Sequence, residues 1–243
     1  MSVREDYERQ GYVVIPQGLP ESALERLEAM TALYRVKDMG TDVHYVDGQL
    51  SSMHNLSNYT PLYGKCFDSL RPLAVELLGE PLFVTVFNAS YFAKPPRVGL
   101  ETKEHQDNAY FHLDPPQAVT CWVGLDDSEV GNGGLFYYKG SHRGGMLPHG
   151  SIGNLGASQA ILDPDEVSEE YPLRFLTLKR GDVVIHHTLV IHGSVANYSD
   201  RPRRAFNFSF AGVSAKRNEE SYARYRAQLE SFIVKKRREA VHG

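Results

Sequence analysis

"RRAFNFSFAGV", residues 203–213, carries two kinds of side chain in strict alternation. Side chains along a strand point to opposite faces in turn, so Ala205, Asn207 and Ser209 share one face and Phe206, Phe208 and Phe210 share the other. The phenylalanine face requires a hydrophobic layer against it. The small, polar face, with Arg203 at its start, looks into something wet or polar. A segment at 84–93 repeats the pattern more weakly, with Asn88 and Ser90 on one face. A polar interior in a small β-sandwich indicates a ligand cavity.

Outward from this stretch the chain divides by texture. From residue 81, "PLFVTVFNASYFAK", "AVTCWVGLDD", "GGLFYYKGS" and "RFLTLKRGDVVIHH" are rich in β-branched and aromatic residues and punctuated by Gly, Pro, Asn and Asp, the mark of many short strands in a sandwich or barrel. "PESALERLEAM" (20–30) reads as a helix with Ala23, Leu24, Leu27 and Met30 on its apolar side, and "TPLYGKCFDSLRPLAVELLG" (60–79) as a second helical region. "NEESYARYRAQLESFIVKKRREA" (218–240) closes the chain as a helix. The layout predicts one α+β domain, mainly β, over residues 1–243, with a β core at about 81–213 and helices packed on one face of the sandwich.

Composition narrows the function classes. Net charge is −4, and the one basic run, "KKRREA" (235–240), ends a helix where cations suit the macrodipole, so no nucleic-acid partner is expected. No window approaches ~18 consecutive apolar residues, which excludes a membrane-spanning helix. "MSVREDYERQGYVVIP" lacks the apolar segment of a signal peptide, and two cysteines, Cys66 and Cys121, without a CxxC spacing fit a reduced compartment; a cytoplasmic location is the expectation.

Ten histidines make chance clusters common. His44, His54, His142, His149 and His242 show no ligand spacing and are expected in solvated or core roles. "HQDNAYFHLD" (105–114) holds His-x-Asp twice, at His105/Asp107 and His112/Asp114. The first pair is placed at a strand start near a cavity rim; the second runs into two prolines and reads as a surface turn. Far downstream, "GDVVIHHTLVIHGS" (181–194) brings His192 on a short loop, and Arg203 follows eleven residues later. A His-x-Asp with a distant His makes a 2-His-1-carboxylate facial triad, which holds Fe(II) and leaves three positions open. A dicarboxylate co-substrate that chelates the iron through a 2-oxo acid needs a bidentate, permanently charged partner for its far carboxylate, and Arg203 with the Ser194 hydroxyl supplies one. His187 shares parity with Val183 and Ile185 and is expected to face inward as a supporting or packing residue.

"HQD", "GLFYYKGSH" (134–142), "GDVVIHHTLVIHGS" and "RPRRAFNF" together resemble the phytanoyl-CoA dioxygenase family of Fe(II)/2-oxoglutarate oxygenases, well over residues ~81–213 and loosely before them. The resemblance implies a double-stranded β-helix, a cupin-like jelly roll. It implies iron ligation by His105, Asp107 and His192, and binding of the 2-oxoglutarate 5-carboxylate by Arg203 and Ser194, with O2 as second co-substrate. Trp122, fifteen residues after Asp107, and Ser90 match further co-substrate positions. His112 and Asp114 match no ligand. Halogenating relatives replace the carboxylate corresponding to Asp107 with a small residue, so its presence favours hydroxylation or another oxidative outcome over halogenation.

The substrate is expected to be a small, mostly apolar molecule. Contacts are expected from segments at the rim and from the polar face: Tyr45, His54, Tyr110, Phe111 and Asn207. The protein is expected as a monomer or homodimer. Two other readings share these residues: a jelly-roll metalloenzyme that does not use 2-oxoglutarate, such as a cupin-like dioxygenase or isomerase, and a binding protein without turnover.

Overall fold

The structure is a computed structural model that describes residues 2–34, 42–60, 62–83, 87–152 and 158–242. In chain order its elements are α1 (Val3–Gln10), β1 (Tyr12–Ile15), α2 (Glu21–Tyr34), β2 (Val43–Val46), β3 (Gln49–Met53), α3 (Leu62–Cys66), α4 (Arg71–Leu78), β4 (Phe87–Lys94), β5 (Thr102–His105), α5 (Asn108–Phe111), β6 (Ala118–Gly124), β7 (Leu135–Tyr138), β8 (His149–Ser151), β9 (Gln159–Ile161), α6 (Pro164–Glu170), β10 (Leu173–Phe175), β11 (Val183–His187), β12 (His192–Ser194), β13 (Arg203–Ala211) and α7 (Glu219–His242).

The strands form a seven-stranded sheet, β1-β11-β6-β13-β4-β3-β2, and a four-stranded sheet, β10-β7-β12-β5, with β8 and β9 as a separate hairpin. All these pairings are antiparallel. From β4 to β7, and again from β10 to β13, successive strands alternate between the two sheets. That alternation is the double-stranded β-helix, or jelly roll.

The two faces of β13 part as its sequence requires. Phe206, Phe208 and Phe210 are fully buried in one apolar layer with Leu24 and Leu27 of α2, Phe67, and Ala74 and Leu77 of α4. The rings of Phe67 and Phe208 stack at 3.5 Å and 14°. Val183 and Ile185 of β11 point into this same layer. Helices α1 to α4 therefore cover the outer face of the large sheet, and its inner face looks across at the small sheet. Between the sheets lies a cavity of about 680 Å³, lined from β13 by Arg203 and Asn207.

The N-terminal third departs from the sequence expectation. The β structure starts at residue 12, not near 81, because β1 pairs with β11 and the β2–β3 hairpin pairs with β4. Asp47 and Gly48, both at positive φ (47° and 71°), make the two-residue turn joining Val46 to Gln49. α1 forms ahead of them through a capping box between Ser2 and Glu5, and it buries Tyr7. The helical region at 60–79 is two helices, α3 and α4, joined by a turn at Asp68–Leu70. Residues 84–86, at the start of the expected strand 84–93, lie outside the described residues, and so do the side chains of Asn88 and of the basic run 235–240. Among the described residues no helix is long and apolar enough to cross a membrane.

Candidate active site

Two strands of the small sheet bring the histidines together. His105 is the last residue of β5, rather than at a strand start, and His192 is the first of β12, in a strand rather than a loop; the two are directly paired across the ladder. Their rings sit 4.3 Å apart. His105 Nδ1–H donates to the Lys103 carbonyl at 2.8 Å and His192 Nδ1–H to the Val190 carbonyl at 3.0 Å. Both hydrogen bonds fix the tautomer that leaves Nε2 as a bare lone pair aimed into the cavity, the form a metal needs. Asp107 follows β5 at the start of α5, and its Oδ1 lies 3.6 Å from His105 Nε2 and 3.7 Å from His192 Nε2. All three residues are buried, and their ligand atoms lie within 4.8 Å of one another. Two neutral imidazole nitrogens and one carboxylate oxygen on one side of an open cavity fit a facial Fe(II) site.

The support is as specific as the ligands. Gln106, fully buried between them, donates from its side chain to the Gly145 and Leu189 carbonyls, both at 2.7 Å, and its backbone N–H donates to His149 Nε2 at 3.0 Å. Asp107 Oδ2 accepts from His186 Nε2 at 3.0 Å and from the Thr120 hydroxyl. Burial alone would raise the Asp107 pKa; the histidines around it, His105 and His186 first, outweigh that and hold the carboxyl well below the usual range. Burial, then the adjoining His105 and His186, hold His192 well below the ordinary histidine range, so it stays neutral.

Gly193 explains the glycine in "HGS". A Cβ there would sit 2.6 Å from the Thr102 carbonyl oxygen of β5 and 2.5 Å from the Phe136 ring. Gly193→Ala is expected to push β12 off β5, separate His192 from His105 and cut metal affinity at least tenfold, as read by anaerobic metal titration. Undiminished affinity would mean that the ligands do not depend on this strand contact.

A second cluster lies on the inner face where β13 meets β4. Arg203 and Lys94 are directly opposed, 3% and 5% exposed. Arg203 Nε donates to the Gly133 carbonyl at 3.0 Å, and its guanidinium stands 5.8 Å from the Trp122 ring. Lys94 Nζ donates to the Leu100 carbonyl at 2.5 Å and more weakly to the Ser194 carbonyl at 3.4 Å. Among the described residues neither cation has a carboxylate within ion-pair distance; Asp126 pairs with Arg204 instead, at 2.7 Å. Burial lowers Arg203 to about 10, and burial together with the Arg203 charge holds Lys94 well below the usual lysine range. Two buried, adjacent, unpaired cations are costly and call for an anion.

The cavity is lined by His105, Asp107 and His192, by Arg203, Ser194, Trp122 and Ser90, and by His54, Tyr110, Phe111 and Asn207. Asn207 Oδ1 is buried there without a hydrogen-bond partner among the described residues. Ser90 meets His54 Nδ1 at 3.3 Å, and burial, then the neighbouring His44, lowers His54 to about 3. Tyr45 is corrected: it is 54% exposed and points away, because strand alternation in β2 turns His44 and Val46 to the cavity instead. His187 is corrected too. It faces outward, its ring 5.6 Å from His142 and 6.3 Å from Tyr7, and His186 occupies the inner face. His112 stays out of the metal cluster and bonds Ser221 of α7 at 2.7 Å.

Sequence reasoning missed Lys94, Thr120, Tyr137, His186 and the wall made by α7. Tyr222, Tyr225, Arg226 and Leu229 line the cavity at i, i+3, i+4 and i+7, a helical stripe that was legible but had no assigned partner. The rings of Tyr110 and Tyr225 meet edge to face at 6.0 Å.

Comparison with known proteins supplies the lineage. The family model described as phytanoyl-CoA dioxygenase (PhyH) matches residues 7–205. The peroxisomal phytanoyl-CoA dioxygenase of Homo sapiens is 26% identical over 229 residues, covering 86% of this chain and 68% of that protein. The phytanoyl-CoA dioxygenase of Arabidopsis thaliana is 30% identical over 122 residues, 50% of this chain, and the match spans only 42% of the plant protein. Among solved structures, EvdO2 from Micromonospora carbonacea var. aurantiaca complexed with 2-oxoglutarate superposes with a TM-score of 0.67 at 26% identity, over 88% of this chain and 91% of that one. SnoK, a non-heme α-ketoglutarate-dependent carbocyclase from nogalamycin biosynthesis, superposes with a TM-score of 0.70 at 24% identity over 89% and 86%, a likeness of fold. A family match that reaches from α1 into β13 spans the strands that carry the histidines, the carboxylate and the arginine, and the chain belongs to the phytanoyl-CoA dioxygenase family.

Proposed function

We propose that the protein is an Fe(II)- and 2-oxoglutarate-dependent oxygenase that hydroxylates, or otherwise oxidises, a small molecule. One observation carries the reading beyond a generic metal site: two basic groups, Arg203 and Lys94, buried without a carboxylate partner among the described residues in the same cavity as the His105–Asp107–His192 cluster. The far carboxylate of a dicarboxylate co-substrate gives them an anionic partner. In this reading His105, Asp107 and His192 hold the iron, and Arg203, aided by the Ser194 hydroxyl and by Lys94, grips the far carboxylate of 2-oxoglutarate.

The bound iron and 2-oxoglutarate supply the oxygen activation, with succinate and CO2 as co-products. The chain's own part is to bind, orient and exclude water. Trp122 walls the co-substrate arm beneath the Arg203 guanidinium. Asp107 fills the place that a halide needs, which favours hydroxylation over halogenation. The substrate occupies the remainder of the cavity, with Tyr110, Phe111, Tyr222 and Tyr225 as aromatic walls and His54 and Asn207 as polar contacts.

The test is anaerobic Fe(II) titration with and without 2-oxoglutarate. The expected result is a weak visible metal-to-ligand charge-transfer band only when both are present. Stoichiometric iron binding without that band overturns the 2-oxoglutarate reading and favours the cupin-like one.

Lys94 gives the binding a proton signature. Its pKa is held well below the usual lysine value by burial and by the Arg203 charge, and a carboxylate arriving beside it favours the charged form. Binding should therefore take up a fraction of a proton, and affinity should fall as pH rises through the raised pKa of the complex. Calorimetry in buffers of different ionisation enthalpy reads this directly, and Lys94→Met should abolish the uptake.

A further inference from the structure

The two oxygens of Asp107 have separate surroundings. Oδ1 faces the bare nitrogens, 3.6 Å from His105 Nε2 and 3.7 Å from His192 Nε2. Oδ2 is turned away from them and accepts from Thr120 Oγ1 and from His186 Nε2, the latter at 3.0 Å. We propose that Thr120, His186 and Tyr137 are positioning residues that hold Asp107 as a one-oxygen ligand and brace it against His192. The inference rests on the metal reading of His105, Asp107 and His192.

The direction of the network follows from its members. Ionised Asp107 can only accept, so His186 must carry its proton on Nε2. Its Nδ1 is then a lone pair that needs a donor. The Tyr137 hydroxyl, fully buried, stands 3.0 Å away and supplies one. The chain runs Tyr137 to His186 to Asp107, each donating to the next. The reverse tautomer would set the Nε2 lone pair against a carboxylate oxygen. The Tyr137 ring also stacks on His192 at 5.4 Å and 14°, and on Tyr12 of β1 at 4.4 Å and 26°. One buried side chain thus steadies two candidate ligands, Asp107 through His186 by its hydroxyl and His192 by its face.

The supports stand on interior strands of the large sheet. Ser209, Thr120 and His186 form one cross-strand row over β13, β6 and β11, and the Ser209 and Thr120 hydroxyls are 3.0 Å apart. The row fixes where Oδ2 can be. The functional consequence is a matter of counting. An octahedral iron held by His105, His192 and one oxygen of Asp107 would keep three positions, enough for the 2-oxo acid and O2. A carboxylate free to swing and bind through both oxygens would take one of them. Satisfying Oδ2 with two protein donors prevents that.

The test uses the full chain with Co(II), whose visible spectrum reports coordination number. Thr120→Val and His186→Leu remove one donor each, His186→Gln keeps an N–H in reach, and Tyr137→Phe keeps the ring but not the hydroxyl. Loss of either donor should weaken Co(II) affinity about 10–100-fold and change the visible spectrum, with His186→Gln recovering most of both. Tyr137→Phe should produce the same spectral change in weaker form. A folding defect alone would lower the melting temperature of the metal-free protein without this spectral pattern. Folded Thr120→Val and Tyr137→Phe proteins with wild-type affinity and spectrum overturn the proposal. Failure of the wild type to bind Co(II) overturns the metal reading beneath it.

Discussion

Arg203→Ala is expected to lower 2-oxoglutarate affinity by roughly thirtyfold to a thousandfold or more, while metal affinity stays within about threefold. Truncating one partner of a buried charge pair costs about 2–5 kcal/mol, and each 1.4 kcal/mol is a factor of ten. The guanidinium is 3% exposed and pinned through Nε to the Gly133 carbonyl, so its remaining N–H groups are pre-aimed into the cavity. Arg203→Lys should not rescue, because an ammonium lacks both the fork and the Nε anchor. Arg203→Met, which keeps most of the volume and removes the charge, should leave the melting temperature of the ligand-free protein unchanged or raised, since no carboxylate stands beside that buried charge. Titration of the charge-transfer band measures the first effect and thermal unfolding the second. An affinity within threefold of wild type would remove Arg203 from the co-substrate site.

Phe208→Ala is expected to cost about 3–5 kcal/mol of stability, the range for emptying a fully buried aromatic position. Phe208 stacks on Phe67 at 3.5 Å and packs edge-on to Phe210 at 5.2 Å, so the void would open under α4 where no neighbour is free to fill it. At about 2–4 °C per kcal/mol for a chain of this size, melting should fall by roughly 6–20 °C. The loss lies on the helix side of the sheet, so metal affinity of the folded variant should be kept. A cost under about 1 kcal/mol would mean that the aromatic layer collapses into the space.

The same strand shows how far the sequence could be followed. Its alternation was legible because one face is aromatic and the other small and polar. On β11 both faces are buried, so parity puts His187 on the face of Val183 and Ile185 without saying which face is the inner one. In this sheet the apolar face meets the helices and the polar face meets the cavity, so His186 is the inner residue. Tyr45 failed for a related reason: the hairpin signal Asp47-Gly48 was present, and once it sets the register, alternation turns Tyr45 outward. Lys94 carried no local signal. Only the pairing of β4 with β13 makes it a neighbour of Arg203, and pairing partners far apart in sequence are not written in either segment alone. The histidines and the carboxylate were accessible because their chemistry depends on residue type and spacing more than on register.

β13 is the last strand among the described residues and lies in the interior of the large sheet, bonded to β6 on one side and β4 on the other. During synthesis, therefore, every other strand emerges before the one that joins them. Until residue 211 leaves the ribosome, β6 and β4 each offer an unpaired edge, and unpaired edges recruit other chains. A nascent or truncated chain that stops short of β13 should thus be an aggregation hazard, and one without Arg203. Chaperone dependence should concentrate in the interval before β13 emerges, and chains truncated from the C-terminal side should lose solubility abruptly once the cut enters β13.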